Sequence, residues 1–162
     1  VKNKSVEIRQ FRAADSQALK DLTVAAFGEN SSIDKRIEDR FGAFGLSGWK
    51  PRKASHIDAD IEANADGIFV AELDGVIVGY ITTTLDHDGL IGRIPNMAVG
   101  AQMQGQGVGR KLLEEALDYF RRQGMKAAKI ETLASNETGQ HLYPSVGFEE
   151  IARQVHFVMR LD

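Results

Sequence analysis

Residues 99–110 read Val-Gly-Ala-Gln-Met-Gln-Gly-Gln-Gly-Val-Gly-Arg, and they constrain the chain more than any other segment. Gly105, Gly107 and Gly109 stand at alternate positions, so the backbone can turn tightly and approach a ligand with no Cβ in the way. Behind them Val108, Leu112, Leu113, Ala116, Leu117 and Phe120 recur at helical spacing, which predicts a long helix over 107–122. Arg121, Arg122 and Gly124 suit the end of that helix in charge and backbone freedom. Residues 90–99, ahead of the glycines, read as a strand. A turn from strand into helix leaves N–H groups unpaired at the positive end of the helix dipole, the natural place for a phosphate or pyrophosphate. The triphosphate loop GxxxxGK[ST] is not present, because Gly105 leads to Arg110, Lys111 and Leu112. The dinucleotide pattern GxGxxG fails at Arg110, and the preceding strand belongs to a run of hairpins rather than to a parallel unit. ATP and NAD are poor fits.

The hairpins are written in Asp74-Gly75 and Asp88-Gly89, each between apolar runs, as two-residue turns require. They predict strands over 67–73, 76–84 and 90–99. A strand near Val6–Arg9 opens the chain, and Asp15 is the expected N-cap of a helix carrying Leu19, Leu22, Ala25 and Phe27. Residues 28–66 are less legible: helices are expected over 33–44 and 57–65, around Trp49 and the basic cluster Lys50-Pro51-Arg52-Lys53. After the long helix come a strand over 129–133, a short helix over 137–143 and one or two closing strands over 148–160. Strands and helices mixed along 162 residues predict one α+β domain, a sandwich with a mostly antiparallel sheet.

Composition excludes several partners. A net charge of −3 argues against a nucleic-acid surface, which needs a basic face. No apolar run approaches the roughly 18 residues of a membrane span, and the opening VKNKSVEIRQ lacks the apolar core of a signal peptide. A cytoplasmic protein is expected. With no cysteine in the chain there is neither disulfide nor thiolate chemistry.

Gln104-x-x-Gly107-x-Gly109 resembles the acetyl-CoA signature [Q/R]-x-x-G-x-[G/A] of the Gcn5-related N-acetyltransferase (GNAT) family, and Met97-Ala98-Val99 before it and Leu112-Leu113 after it are also typical. A second motif runs from Ile130 to Phe148. It has a strand, Asn136 opening a short helix, Tyr143, and Gly147-Phe148 four and five positions after the tyrosine. The resemblance covers about 67–157 and implies the GNAT fold: a mixed, mostly antiparallel sheet of six to seven strands with about four helices. Residues 1–162 would form a single acetyltransferase domain, with 67–157 as its acetyl-CoA-binding core and 28–66 as the variable acceptor side.

The same resemblance implies acetyl transfer from acetyl-CoA to an amine, with no metal. The backbone amides of Gln104, Gly105, Gln106, Gly107, Val108 and Gly109 would hold the CoA pyrophosphate, and Met97 and Val99 would pair with the pantetheine as if it were another strand. Asn136 would touch the pantetheine arm, although capping the short helix explains it equally well. Arg110 either meets CoA phosphates or is a solvated first-turn residue. Tyr143 corresponds to the family's general acid, against a role as a packed ring. Pro144 lacks an N–H and disfavours helix at Tyr143, so an early helix end that shifts the phenol is expected. For the base, Arg93 stands where some relatives carry Glu and cannot accept a proton. Glu131 matches the position others use, with His87 as the substitute. His141 is expected to face away. In 28–66, Glu29, Asp34, Glu38 and Asp39 mix with Lys35, Arg36 and Arg40, so neither a small amine nor a protein N-terminus is singled out as acceptor. A homodimer is common in the family. A non-catalytic acetyl-CoA sensor of the same fold is the alternative reading.

Overall fold

The computed structural model describes residues 5–28 and 32–162. Glu29 lies outside the described residues. Among the described residues seven strands and five α-helices follow one another as β1 (Glu7–Gln10), α1 (Ser16–Ala26), α2 (Ile33–Phe41), α3 (Trp49–Asn64), β2 (Phe69–Leu73), β3 (Val76–Ile81), β4 (Thr84–Asp86), β5 (Ile91–Ile94), β6 (Met97–Val99), α4 (Val108–Arg122), β7 (Ala127–Ile130) and α5 (Glu137–Val146). The strands form a four-stranded sheet in the order β1-β2-β3-β6 and a three-stranded sheet β4-β5-β7. Every pairing is antiparallel except β5 with β7.

Alternation along the strands sorts side chains to two cores. Phe69, Ala71 and Ile81 face α4 and join Leu112, Leu113, Ala116 and Phe120. Val70 and Tyr80 face the other way, onto Leu19 of α1 and Ile57 of α3. Helices on both faces explain why β2 and β3 read as nearly continuous apolar runs. Their connection, Asp74-Gly75, has both residues at positive φ, the two-residue turn whose twist matches its strands.

Several expectations are corrected. The strand over 90–99 is broken at Pro95-Asn96, so β5 pairs with β7 while β6 pairs with β3. Proline has no N–H for a ladder, and the strand divides where one would be missing. The second acceptor-side helix starts at Trp49 rather than near 57; Pro51 fits its first turn, where N–H groups lack helical partners anyway. The helix over 137–143 continues through Pro144 to Val146 and ends at Gly147, with φ +118. Gly147 N–H donates to the Pro144 carbonyl and Phe148 N–H to that of Tyr143, a pair of bonds that closes a helix C-terminus. The strand expected over 129–133 is β7, shifted earlier, so Glu131 follows it. Residues 148–160 form no strand; 149–162 are exposed.

Asp15 stands at the N-cap position of α1, yet its carboxylate turns away from that helix. It accepts from the Arg12 backbone N–H at 2.7 Å and from both terminal nitrogens of Arg9 at 2.8 and 3.0 Å. Hydrogen bonds from Arg9 hold its pKa below the usual carboxylate value, so the stability it contributes is present above the unfolded value of about 3.9 and is lost as pH falls through the folded one. Asp15→Ala is expected to cost about 2–3 kcal/mol in urea unfolding at neutral pH, with the difference from wild type shrinking below about pH 4. Among the described residues no helix is long and apolar enough to cross a membrane.

Candidate active site

The break between β5 and β6 creates the central feature. Beyond Ile94 and Ile130 the two sheets part, and β6 becomes an edge of the four-stranded sheet. One side of Met97–Val99 is bonded to β3; the other presents main-chain N–H and C=O groups without a strand partner among the described residues. An extended chain with amide groups fits such an edge.

The glycine loop follows at once. Gly105 and Gly107 have φ of +75 and +77, and a Cβ on either would find no atom within 4 Å. Their conformation demands glycine, and the space over them is open. Gly107 caps α4 in the left-handed region, so the N-terminus of a four-turn helix, whose first amides have no helical partner, begins beside that space. Gly109 plays a different part: a Cβ there would lie 3.1 Å from Leu142 Cδ2, 3.8 Å from Val99 Cγ2 and 3.9 Å from Met97 Cε. The first turn of α4, the edge strand β6 and helix α5 therefore converge on this one residue. Arg110, one position on, donates to the Ser145 hydroxyl at 2.7 Å and ties α4 to α5; its side chain is engaged in the fold.

Helix α5 carries Tyr143 beside Leu142. Asn136 caps the helix by accepting from Gly139 N–H at 3.2 Å, and its amide donates to Thr132 Oγ1 at 2.8 Å. Tyr143 is half-buried, with its ring edge-on to Phe148 at 6.2 Å. Burial pushes its phenol pKa up, which keeps the proton on at neutral pH. Pro144 does not displace it from helical backbone.

Glu131 lies just past β7, its side chain 70% exposed and its carboxylate 3.8 Å from Lys129 Nζ. It lines a shallow recess of about 120 Å³ with Thr84, Arg93, Ile94, Pro95 and Lys129. Arg93 pairs with Asp86 at 3.5 Å. His87 is exposed at the tip of the β4–β5 turn, and His141 is exposed on α5. Among the described residues no group of three or more His, Asp and Glu side chains is placed to hold a metal.

A buried polar cluster behind the strand break went unread in the sequence. Asp60 of α3 accepts from Thr82 Oγ1 at 2.8 Å and from the Asn96 amide at 2.7 Å, and Asn96 N–H donates to Thr82 Oγ1 at 3.0 Å. Lys53 Nζ donates to Asn96 Oδ1 at 3.2 Å and lies 4.3 Å from the Phe27 ring centroid; burial pushes its pKa down. The available signal was an acidic residue three positions after Ile57, on the apolar stripe of its helix. Removing the acceptor with Asp60→Ala leaves the buried Asn96 amide unpaired, while the Thr82 hydroxyl keeps its 3.3 Å bond to the Asn96 carbonyl, and is expected to cost about 1–3 kcal/mol in urea unfolding.

On the acceptor side, α2 and α3 are joined by Glu38, whose carboxylate accepts from Trp49 N–H at 2.6 Å and so caps α3. Arg36 of α2 donates to Ser135 Oγ at 2.7 Å, bringing α2 against the loop that leads into α5.

The comparisons agree with this geometry. The model of the acetyltransferase (GNAT) family matches residues 33–148. An uncharacterized N-acetyltransferase of Archaeoglobus fulgidus is 29% identical over 52% of this chain and 61% of its own length. A mycothiol acetyltransferase of Thermomonospora curvata is 34% identical over 56% of this chain and 30% of its own. The chain thus spans less than two-thirds of the length of these curated relatives. Among solved structures, PH1933 from Pyrococcus horikoshii OT3 superposes with a TM-score of 0.72 at 22% identity, covering 93% of both chains. With most of the chain matched by the family model and the fold shared, the chain belongs to the acetyltransferase (GNAT) family.

Proposed function

We propose that the chain is an acetyl-CoA-dependent N-acetyltransferase acting on a primary amine by direct attack, with Tyr143 as general acid and Glu131 as general base. The observation that carries this reading is the convergence at Gly109 of an edge strand, an open glycine loop at a helix N-terminus, and the helix that bears Tyr143. The residues fit the cosubstrate on physical grounds: β6 offers unpaired backbone for an amide-bearing arm, and Gly105 and Gly107 border open space at the N-terminus of α4, a place suited to a pyrophosphate.

Acetyl-CoA would supply an acetyl group already activated as a thioester. The phenol of Tyr143 donates its proton to the departing sulfur. Glu131, open to water, takes the proton of the incoming ammonium through solvent, since an amine with a pKa near 10.4 must lose it to attack. The cap made by Asn136 orients α5 and hence the phenol. Helices α2 and α3, with the loop at Ser135, wall the acceptor side, where a small-molecule amine or a protein N-terminus would enter. A mycothiol acetyltransferase among the relatives supports an amine on a small molecule as the first class to try.

The test follows free CoA with a thiol reagent across a panel of amines, and the absence of cysteine removes any protein background. Release that depends on one amine class is expected. Acetyl-CoA binding without release across small amines and N-terminal peptides would instead mark a sensor. Glu131→Gln is expected to lower kcat about tenfold or more; an unchanged kcat would exclude Glu131 as the base.

A further inference from the structure

The register of the three-stranded sheet sets three hydrogen-bond donors in one row. Thr84 of β4 is the partner of Arg93 in β5, and Arg93 is the partner of Lys129 in β7. Partnered residues project to one face of a sheet, and successive residues to opposite faces. A Cβ on Gly92 would lie 2.3 Å from the Phe120 ring of α4, so the next residue, Arg93, turns to the face away from α4, and Thr84 and Lys129 turn with it. Glu131 stands two positions beyond Lys129, and all four line the recess of about 120 Å³ beside the strand break.

Two cations directly opposite each other destabilise a sheet, and the fold offsets these two weakly. The Arg93 guanidinium lies 3.5 Å from Asp86 and the Lys129 ammonium 3.8 Å from Glu131, both beyond the roughly 2.7–2.9 Å of a direct charge-assisted bond. Asp86 also accepts from Gly89 N–H at 2.9 Å. Arg93 and Lys129 are nearly half exposed, so both can meet a ligand in the recess. Arginine cannot take a proton from the amine, but its planar fork matches a carboxylate.

We propose that the acceptor is an amino acid, an amine with a free carboxylate on the same short carbon chain. The carboxylate lies across Arg93 and Lys129, with the Thr84 hydroxyl completing the row, and the ammonium faces Glu131. Lys129 and Glu131 exchange their long mutual pair for one ligand group each, and both ligand charges meet their opposites in one recess. The amine then stands beside the side chain proposed to receive its proton. This inference rests on the acetyl-transfer reading and narrows it: a simple alkylamine or an amino acid amide lacks the group that the row of donors would hold.

The test follows release of free CoA with the standard amino acids and with the amide of each, in which the carboxylate is neutral. At least one amino acid is expected to react with a kcat/KM about 10²-fold above that of its amide, the effect of losing one or two charge-assisted bonds. Arg93→Gln and Lys129→Gln are each expected to cut that ratio about tenfold, with acetyl-CoA affinity by calorimetry within about threefold of wild type and far-UV circular dichroism unchanged. N-acetyl amino acids titrated into the CoA-saturated chain read the recess without turnover, and at least one is expected to bind where its amide does not. Amides that react as fast as the acids, a ratio unaltered in both variants, or a chain that binds CoA but no N-acetyl amino acid would each overturn this inference alone. A folded chain that binds no acetyl-CoA would overturn the acetyl-transfer reading, and this inference with it.

Discussion

Replacing Tyr143 with Phe is expected to lower kcat about 10²-fold or more, in the range by which a positioned proton donor speeds a reaction, while the KM for acetyl-CoA stays near the wild-type value. The ring packs edge-on against Phe148 and the neighbouring Leu142 touches the space beside Gly109; Phe keeps that packing and removes only the hydroxyl. The pH dependence carries the same information. Burial raises the phenol pKa above its ordinary value near 10. A general acid must be protonated to act, so its contribution is present below that pKa and lost above it. An alkaline limb of kcat beyond about pH 10 is expected in wild type and absent in Tyr143→Phe. A rate unaffected by the substitution would remove Tyr143 as the acid.

Gly107→Val is expected to abolish acetyl-CoA binding at a tolerable cost in stability. At φ +77 a β-branched residue is strained by about 1–3 kcal/mol, so the loop relaxes and its amides swing from the phosphate position. Losing two amide-to-phosphate bonds, at about 1.5–3 kcal/mol each, weakens binding by a factor of about 10² or more. Calorimetry reads the affinity, and circular dichroism confirms that the sheet and helices remain. Binding retained within about threefold would mean that the amides of this loop do not hold the cosubstrate.

Local signals carried much of the architecture. The Asp74-Gly75 turn, the apolar stripe of α4 and its closing Gly124 are fixed by neighbours within a few residues, and the structure follows them. Glycine positions told the most, because φ near +75 at Gly105 and Gly107 is written in residue type. What escaped depends on distant partners. Asp15 was legible as a cap position, but its turn toward Arg9 needs β1 and Glu72 brought alongside, where Arg9 spans both carboxylates. The start of α3 at Trp49 depends on Glu38 arriving from α2 to bond its first N–H. Pro144 forecast an early helix end, yet the bonds at Gly147 and Phe148 carry the helix past it. The cluster of Asp60, Thr82 and Asn96 joins α3, the link between β3 and β4 and the break between β5 and β6, and has no spacing to read. For residues 149–162 the apolar alternation was visible, and the structure adds that no strand of the same chain takes it up among the described residues.

The most direct test is a calorimetric titration of the wild-type chain with acetyl-CoA. Saturable one-to-one binding in the micromolar range, about −8 kcal/mol at 1 μM, is expected, with loss in Gly107→Val. No heat of binding from a folded wild-type chain would contradict the assignment of the glycine loop and the free edge of β6, and with it the proposed acetyl transfer.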